Sequence, residues 1–136
     1  MRRQLIIWLL VGAGCLGAMG TKAACGSSTR FGLSGTLTAT GGDMRGEYSY
    51  DGSQGKRNVQ GYLQWKPYFG YGKWFTEGDP TAASSSGADN AASGVTKARL
   101  GGGWWRIRVT STDESGNPAG YWVSRAEKIQ GKRFNY

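Results

Sequence analysis

Two clusters of aromatic and basic residues are the part of this sequence best suited to chemistry with a partner molecule. Flat rings stack on sugars, bases or peptide planes, and guanidinium groups pair with carboxylate or phosphate. The chemistry indicated is therefore recognition of a ligand. The first cluster lies in a segment too dense in aromatic residues for a regular strand, and it comprises Lys66, Tyr68, Tyr71, Lys73 and Trp74. The second occupies the polar side of an alternating hairpin near the C-terminus, and it comprises Trp104, Arg106, Arg108 and Trp122.

Each cluster also has a purely structural interpretation. Trp104 and Trp122 can pack against each other across neighbouring strands, with the arginine stems covering them. The rings of residues 68–74 can instead plug one end of a barrel. Loops carry function more often than packing, which favours recognition for the first cluster, whereas the two interpretations of the second are evenly balanced.

The residues needed for catalysis or metal binding are largely missing. The chain contains no His, which excludes His-based acid–base catalysis, the usual His-containing triads and the commonest zinc sites. A glycosidase-like carboxylate pair requires a particular separation in space, and the candidates for it are Glu47, Asp51, Glu77 and Asp79. We expect a protein that is not an enzyme and that uses no metal and no cofactor.

The first 23 residues have the organisation of a secretory signal peptide. Arg2 and Arg3 precede an apolar run over residues 5–11, which is followed by small residues. That run is far shorter than the ~20 residues needed to span a bilayer. We therefore expect cleavage near Ala24 and a secreted or periplasmic protein, with lipid anchoring at Cys15 as the less favoured alternative.

The charge of the chain is moderate once the expected signal peptide is removed. The full sequence has 17 basic and 9 acidic residues and a net charge of +8, and the part after residue 23 keeps 14 basic residues and a charge of +5. Because the charge is moderate and the protein is expected to be exported, a nucleic-acid partner is not favoured, although a basic aromatic surface is suited to binding single-stranded nucleic acid. One cysteine remains, Cys25, so the fold is expected to be held by its core and not by an internal disulfide.

Alternating polar and apolar residues predict an all-β fold for residues 24–136. The alternation is clearest over residues 31–40, 59–65 and 104–110, and Gly41, Gly42 and Asp43 predict a hairpin turn. No segment shows a sustained period of 3.6 residues. We expect a single domain, either a small antiparallel barrel or a sandwich, built as a meander of about six short strands.

Three finer expectations concern the second half of the chain. Residues 78–94 are rich in Ala, Ser and Gly and lack bulky side chains, which predicts a flexible loop. In the last hairpin, Tyr121 is assigned to the core side and Trp122 to the opposite side. Residues 125–129 are expected to form one helical turn at most.

The segment Gly103 to Lys128, GWWRIRVTSTDESGNPAGYWVSRAEK, resembles the last hairpin of bacterial SH3-like modules. It covers about a fifth of the chain. The resemblance implies binding to a cell wall or a peptide and not catalysis. It is carried by a Trp-containing strand with alternating basic residues, a Gly-containing turn and a Gly-aromatic-Val-Ser stretch, namely Trp105, Arg106, Arg108, Gly120, Tyr121, Trp122, Val123 and Ser124.

The function expected from these features is that of a secreted or periplasmic binding module. It would recognise an envelope glycan or an anionic surface, with peptidoglycan favoured, through its aromatic and basic residues. Its partner would be a cell-wall glycan or peptide, or an envelope protein. The alternative is a secreted protein that acts on another protein or on a membrane surface, such as an inhibitor, a toxin component or a bacteriocin-like factor.

Overall fold

The computed structural model describes residues 23–28, 30–69 and 72–131, with side chains from residue 30 onward. The expected signal peptide, except for its last residue, lies outside the described residues, as do Cys15 and Tyr71. The described part contains no helix. Its strands are β1 (Ala23–Ser28), β2 (Leu33–Thr40), β3 (Asp43–Tyr50), β4 (Asn58–Lys66), β5 (Phe75–Ser84), β6 (Ala92–Arg99), β7 (Gly103–Thr112), β8 (Pro118–Val123) and β9 (Glu127–Ile129).

The strands form two antiparallel sheets. Sheet A has the order β1-β2-β3-β6, and sheet B has the order β5-β4-β7-β8. Strand β9 also pairs with β7, alongside residues 103–105, while β8 pairs with residues 108–112 of the same strand. The all-β prediction is confirmed. In the described residues the two sheets are not closed into a barrel, and the strands outnumber the six that were expected.

The hairpin of β2 and β3 follows directly from its sequence. Thr40 pairs with Asp43, so only Gly41 and Gly42 form the loop, and their φ angles are 55° and 91°. Positive φ at both central residues is the requirement of the two-residue turn that matches the twist of a β-hairpin, and glycine adopts it at little cost. The expected hairpin is confirmed, and its turn is one residue shorter than predicted because Asp43 belongs to β3.

The hydrophobic core lies where the two sheets face each other. A Cβ atom added to Gly35 of sheet A would stand 2.9 Å from the ring of Trp122 and 3.2 Å from Ile107, both of sheet B. Close approach of this kind excludes water, and burial of apolar side chains is the main stabilising contribution to such a fold. The larger buried side chains are Leu33, Leu37, Met44, Tyr48, Tyr50, Val59, Leu63, Trp65, Trp105, Ile107, Val109 and Ile129.

The structure corrects the expectation of a flexible loop over residues 78–94. Strand β5 continues to residue 84 and β6 begins at residue 92, with a bridge between Ser86 and Ala91 closing the hairpin. One of the small residues, Gly94, has a packing reason, because the Tyr48 side chain fills the space beside it. A Cβ atom at Gly94 would overlap the hydroxyl of Tyr48, and one at Gly61 would overlap its ring.

The chain after β8 also differs from expectation. Residues 127–129 form strand β9 and not a helical turn. Its register places Ile129 opposite Gly103 and Lys128 opposite Trp104. This pairing adds a basic residue, Lys128, to the outer surface of sheet B.

Candidate ligand-binding face

Strand β7 presents its two sets of side chains to different environments. Trp105, Ile107 and Val109 are fully buried, with 0% exposure. Trp104, Arg106 and Arg108 alternate with them and are only partly buried, so they lie on the outer side of sheet B, as a strand period of two requires. The predicted split of this strand into a core side and a polar side is therefore correct.

The neighbouring strand β4 extends this outer surface. Its register places Lys66 opposite Trp104, Gln64 opposite Arg106 and Tyr62 opposite Arg108. Residues directly opposite each other in an antiparallel pair share one face of the sheet. The Nε–H of Arg106 donates a hydrogen bond of 2.8 Å to Oε1 of Gln64, which fixes the orientation of the guanidinium group.

The loop after β4 contributes the next layer of the surface. Trp74 lies against β7 and β4, with the Arg106 guanidinium carbon 4.1 Å and the Lys66 ammonium nitrogen 5.0 Å from its ring centroid. Both distances are within the ~6 Å range of cation–π attraction. The two clusters that are separate in the sequence therefore meet in the structure.

A similar arrangement occurs at the start of β7. The ammonium nitrogen of Lys128 lies 5.3 Å from the ring centroid of Tyr68 and 6.0 Å from that of Trp104. The hydroxyl of Tyr68 donates a hydrogen bond to the backbone carbonyl of Ile129. That bond connects the segment between β4 and β5, the aromatic loop, to β9. Lys128 therefore lies between Tyr68 of the first cluster and Trp104 of the second.

The opposite end of the surface is formed by Arg108 and Tyr121. The guanidinium carbon lies 5.6 Å from the ring centroid of Tyr121, and Tyr121 is 61% exposed. We call the whole arrangement the basic–aromatic face, defined as Lys66, Tyr68, Trp74, Trp104, Arg106, Arg108, Tyr121 and Lys128.

Trp122 does not belong to this face, which corrects the sequence assignment of the last hairpin. It pairs with Val109, and because Val109 points into the core, Trp122 points there too. It packs against the core from β8 and reaches Gly35 of the other sheet. Tyr121 takes the outward position that was assigned to Trp122.

The charges of the basic–aromatic face are not compensated by carboxylates. In the described part of the chain, Lys66, Arg106, Arg108 and Lys128 make no ion pair, and the pairs Arg45–Glu47 and Arg125–Glu127 lie elsewhere. Burial, and secondarily the positive charge of Arg108, lowers the pKa of Arg106 below its ordinary value. The face is therefore a positively charged strip supported by aromatic rings.

The two buried tryptophans of β4 and β7 differ in hydrogen bonding from the two tryptophans of the basic–aromatic face. Trp65 and Trp105 donate their indole N–H groups to the carbonyls of Gly102 and Gly101, at 3.0 and 2.7 Å. Trp74 and Trp104 have no acceptor for this group among the described residues. Their N–H groups are therefore available to solvent or to a ligand, in addition to the nearby cations.

The structure brings most of the predicted site residues together and places others beside them, while their role in binding stays a prediction. It brings three residues of the first cluster next to three of the second, namely Lys66, Tyr68 and Trp74 beside Trp104, Arg106 and Arg108. Lys73 is exposed and has no part in the contacts described for the face. Sequence reasoning missed Gln64, Tyr121 and Lys128. The alternation of β4 could have indicated that Gln64 lies on the outer side of sheet B. The position of Lys128 depends on the pairing of β9 with β7, which no sequence pattern indicated.

The other features of the described residues are less suited to ligand recognition. A cleft of about 570 Å³ lies beside the β5–β6 hairpin and contains one carboxylate, Asp89. Its Oδ1 accepts a hydrogen bond from the amide of Ala91 at 3.2 Å. No group of three or more potential metal-ligating side chains occurs in the described part. None of its segments forms a helix long and apolar enough to cross a bilayer.

Comparison with known proteins gives no match. No family model, no curated protein and no solved structure matches the chain. The resemblance of residues 103–128 to SH3-like modules thus stays a prediction.

Proposed function

We propose that this protein is an exported, non-enzymatic binding module that recognises an envelope glycan or anionic surface, with peptidoglycan the favoured target. The observation that supports it is the meeting of Trp74 and Arg106, because it joins two aromatic and basic clusters into one face. Rings next to cations are suited to ligands that combine flat apolar faces with negative charge.

Export is part of the proposal and rests on the N-terminal sequence. Cleavage near Ala24 would leave nearly all of β1 in the mature protein, since that strand begins at Ala23. The strand pairs with β2 along its full length, so a cleavage site at this position is compatible with an intact sheet A.

The test is co-sedimentation of the purified protein with intact cell-wall sacculi, at low and at high salt. We expect pelleting that is reduced in Trp74→Ala and in Trp104→Ala, while circular dichroism shows that both variants are folded. Unchanged pelleting of both variants, or no pelleting of the parent protein at all, would contradict the proposal.

An action on membranes is the second candidate, and one observation favours it. Phe69 is 81% exposed and follows Tyr68 in the aromatic loop. Exposed aromatic residues beside basic ones are typical of proteins that bind at a membrane interface. Leakage of dye from anionic liposomes, abolished by Phe69→Ser, would support this candidate over wall binding, and intact liposomes would exclude it.

A further inference from the structure

The rings of the basic–aromatic face support cations and do not lie bare. Trp74 has Arg106 and Lys66 within 4.1 and 5.0 Å of its ring centroid, and Lys128 is close to both Tyr68 and Trp104. A cation over a ring occupies area that a sugar would need for stacking. The geometry therefore indicates that the rings serve mainly to hold positive groups in fixed positions.

Arg106 is held with most of its hydrogen-bonding capacity unused. A guanidinium group has five N–H donors, and in the described part of the chain only the Nε–H has an acceptor, Gln64. The terminal nitrogens remain available for the two-pronged hydrogen bonding that arginine makes with carboxylate or phosphate. Because Gln64 and Trp74 already restrict the side chain, binding would cost little additional conformational entropy.

The positive groups repeat along the strand. Arg106 and Arg108 lie two residues apart on one face of β7, a separation of about 7 Å in an extended strand. Lys66 and Lys128 flank Trp104 from the two neighbouring strands, because each of them pairs with it. Like charges at such spacing repel one another, and a single small anion could not neutralise all of them. A chain of anions could.

We propose that the basic–aromatic face binds a linear polyanion, an envelope glycopolymer with a negatively charged oxygen group on each repeat, lying along β7. Its successive anionic groups contact Arg108, Arg106 and then the pair Lys66 and Lys128. The proposal rests on the proposed function, since it takes this face to be the binding surface, and it specifies the ligand class as charged and not neutral glycan.

Soluble polymers test the charge requirement directly. Binding of the purified protein to polyphosphate, to polygalacturonate and to neutral dextran is measured by the change in intrinsic Trp fluorescence and by calorimetry. We expect binding to one or both polyanions that weakens with salt, and none to dextran. Preference for polyphosphate indicates a phosphate-bearing polymer as the natural class, and preference for polygalacturonate indicates a carboxylate-bearing one.

A matched pair of double variants tests the position of the site. Arg106→Gln with Arg108→Gln should weaken polyanion binding at least tenfold. The control variant, Lys97→Gln with Arg99→Gln, removes the same charge at the same spacing from the outer side of sheet A, where both residues are exposed. It should change polyanion binding less than twofold. Equal losses in the two variants, equal binding to dextran, or tighter binding to a single-stranded oligonucleotide than to either polymer would overturn the proposal.

Sacculi distinguish failure of this inference from failure of the proposed function. Sacculi are prepared with and without extraction of their anionic polymers. Equal pelleting with both preparations, together with no binding to polyanions, would overturn the polyanion inference and leave wall binding intact. Absence of all binding would overturn both proposals. Loss of pelleting after extraction would support the polyanion inference and binding to an anionic envelope surface, and it would exclude peptidoglycan as the target.

Discussion

The guanidinium carbon of Arg106 lies 4.1 Å from the centroid of the Trp74 ring, although 32 positions separate the two residues in the sequence. Arg106 comes from the central region of β7 and Trp74 from the loop before β5. The inner side of β7 belongs to the core, and its outer side contacts the loop before β5 through this pair. Tyr68 holds the same loop at another point. The loop and the strand therefore act as one surface.

Two replacements of Trp74 should distinguish the contribution of an aromatic ring from the contribution of the size of the indole. In Trp74→Ala, Arg106 and Lys66 lose the ring that holds them in place, so each must be ordered on binding, and affinity should fall by about 0.5–1.5 kcal/mol for each side chain. Trp74→Phe keeps a ring face and should retain part of the affinity. The dissociation constants for sacculi or polyanion measure this directly. Equal affinities in the three proteins would show that the ring does not organise the cations.

Adjacent residues of β8 should have opposite effects. Trp122→Ala should reduce the free energy of unfolding by about 3 kcal/mol, since it leaves a cavity beside Gly35 and Ile107. Tyr121→Ala should change stability by less than about 0.5 kcal/mol, as expected for an exposed position, and should weaken binding through Arg108. Urea unfolding and binding measured on both variants provide the comparison. The reverse pattern would mean that β8 has the other orientation.

Packing around Tyr48 predicts a coupled pair of substitutions. Gly94→Ala should destabilise the protein by about 1–3 kcal/mol, because the new methyl group overlaps the Tyr48 hydroxyl. Tyr48→Phe alone should also be destabilising, because the hydroxyl forms a hydrogen bond of 2.8 Å with Thr81. The double variant should be more stable than the sum of the two effects predicts. Strict additivity in urea unfolding would contradict this packing.

The loop between β7 and β8 should make stability sensitive to acid. Hydrogen bonds from the backbone amides of Asn117 and Ser115, the first being the main cause, lower the pKa of Asp113 below its ordinary value of 3.8. A carboxyl group with a lower pKa in the folded state stabilises it above the unfolded pKa, and the contribution disappears as the pH falls through the folded value.

We therefore expect the thermal midpoint to fall as the pH is lowered below about 4, with a smaller dependence in Asp113→Asn. Asp51 should contribute in the same direction, because its hydrogen bonds with Ser53 also lower its pKa. Asp89→Asn provides a matched control in another turn. An identical pH dependence in the parent protein and in Asp113→Asn would contradict the assignment.

Regular alternation made some of the fold predictable from sequence. The hairpin of β2 and β3 could be placed because Gly41 and Gly42 interrupt two alternating segments. Strands β5 and β6 could not, because their inward positions hold small residues such as Ala92 and Ala98, which give no periodic apolar signal. At Gly94 of β6 the reason for a small residue lies in another strand, because a Cβ atom there would overlap the Tyr48 hydroxyl.

The candidate site was predictable in its residue types but not in its assembly. Alternation divided β7 correctly between core and surface, yet β8 was assigned the opposite orientation. An alternating segment has two possible orientations, and the choice depends on the register with its partner, here Val109 opposite Trp122. The union of the two clusters depends likewise on how the loop bearing Trp74 folds over β4 and β7.

The alternation of buried and surface residues along β7 has a consequence for how such a protein can diversify. Its odd-numbered residues from Trp105 to Val109 maintain the fold, while the even-numbered ones between and beside them meet the solvent. Single exchanges at even positions can therefore redirect ligand preference over evolutionary time without disturbing the interior. Insertion of one residue before Trp105 would exchange the two sets and bury the arginines, so lineages should vary in the chemistry of this strand and not in its length.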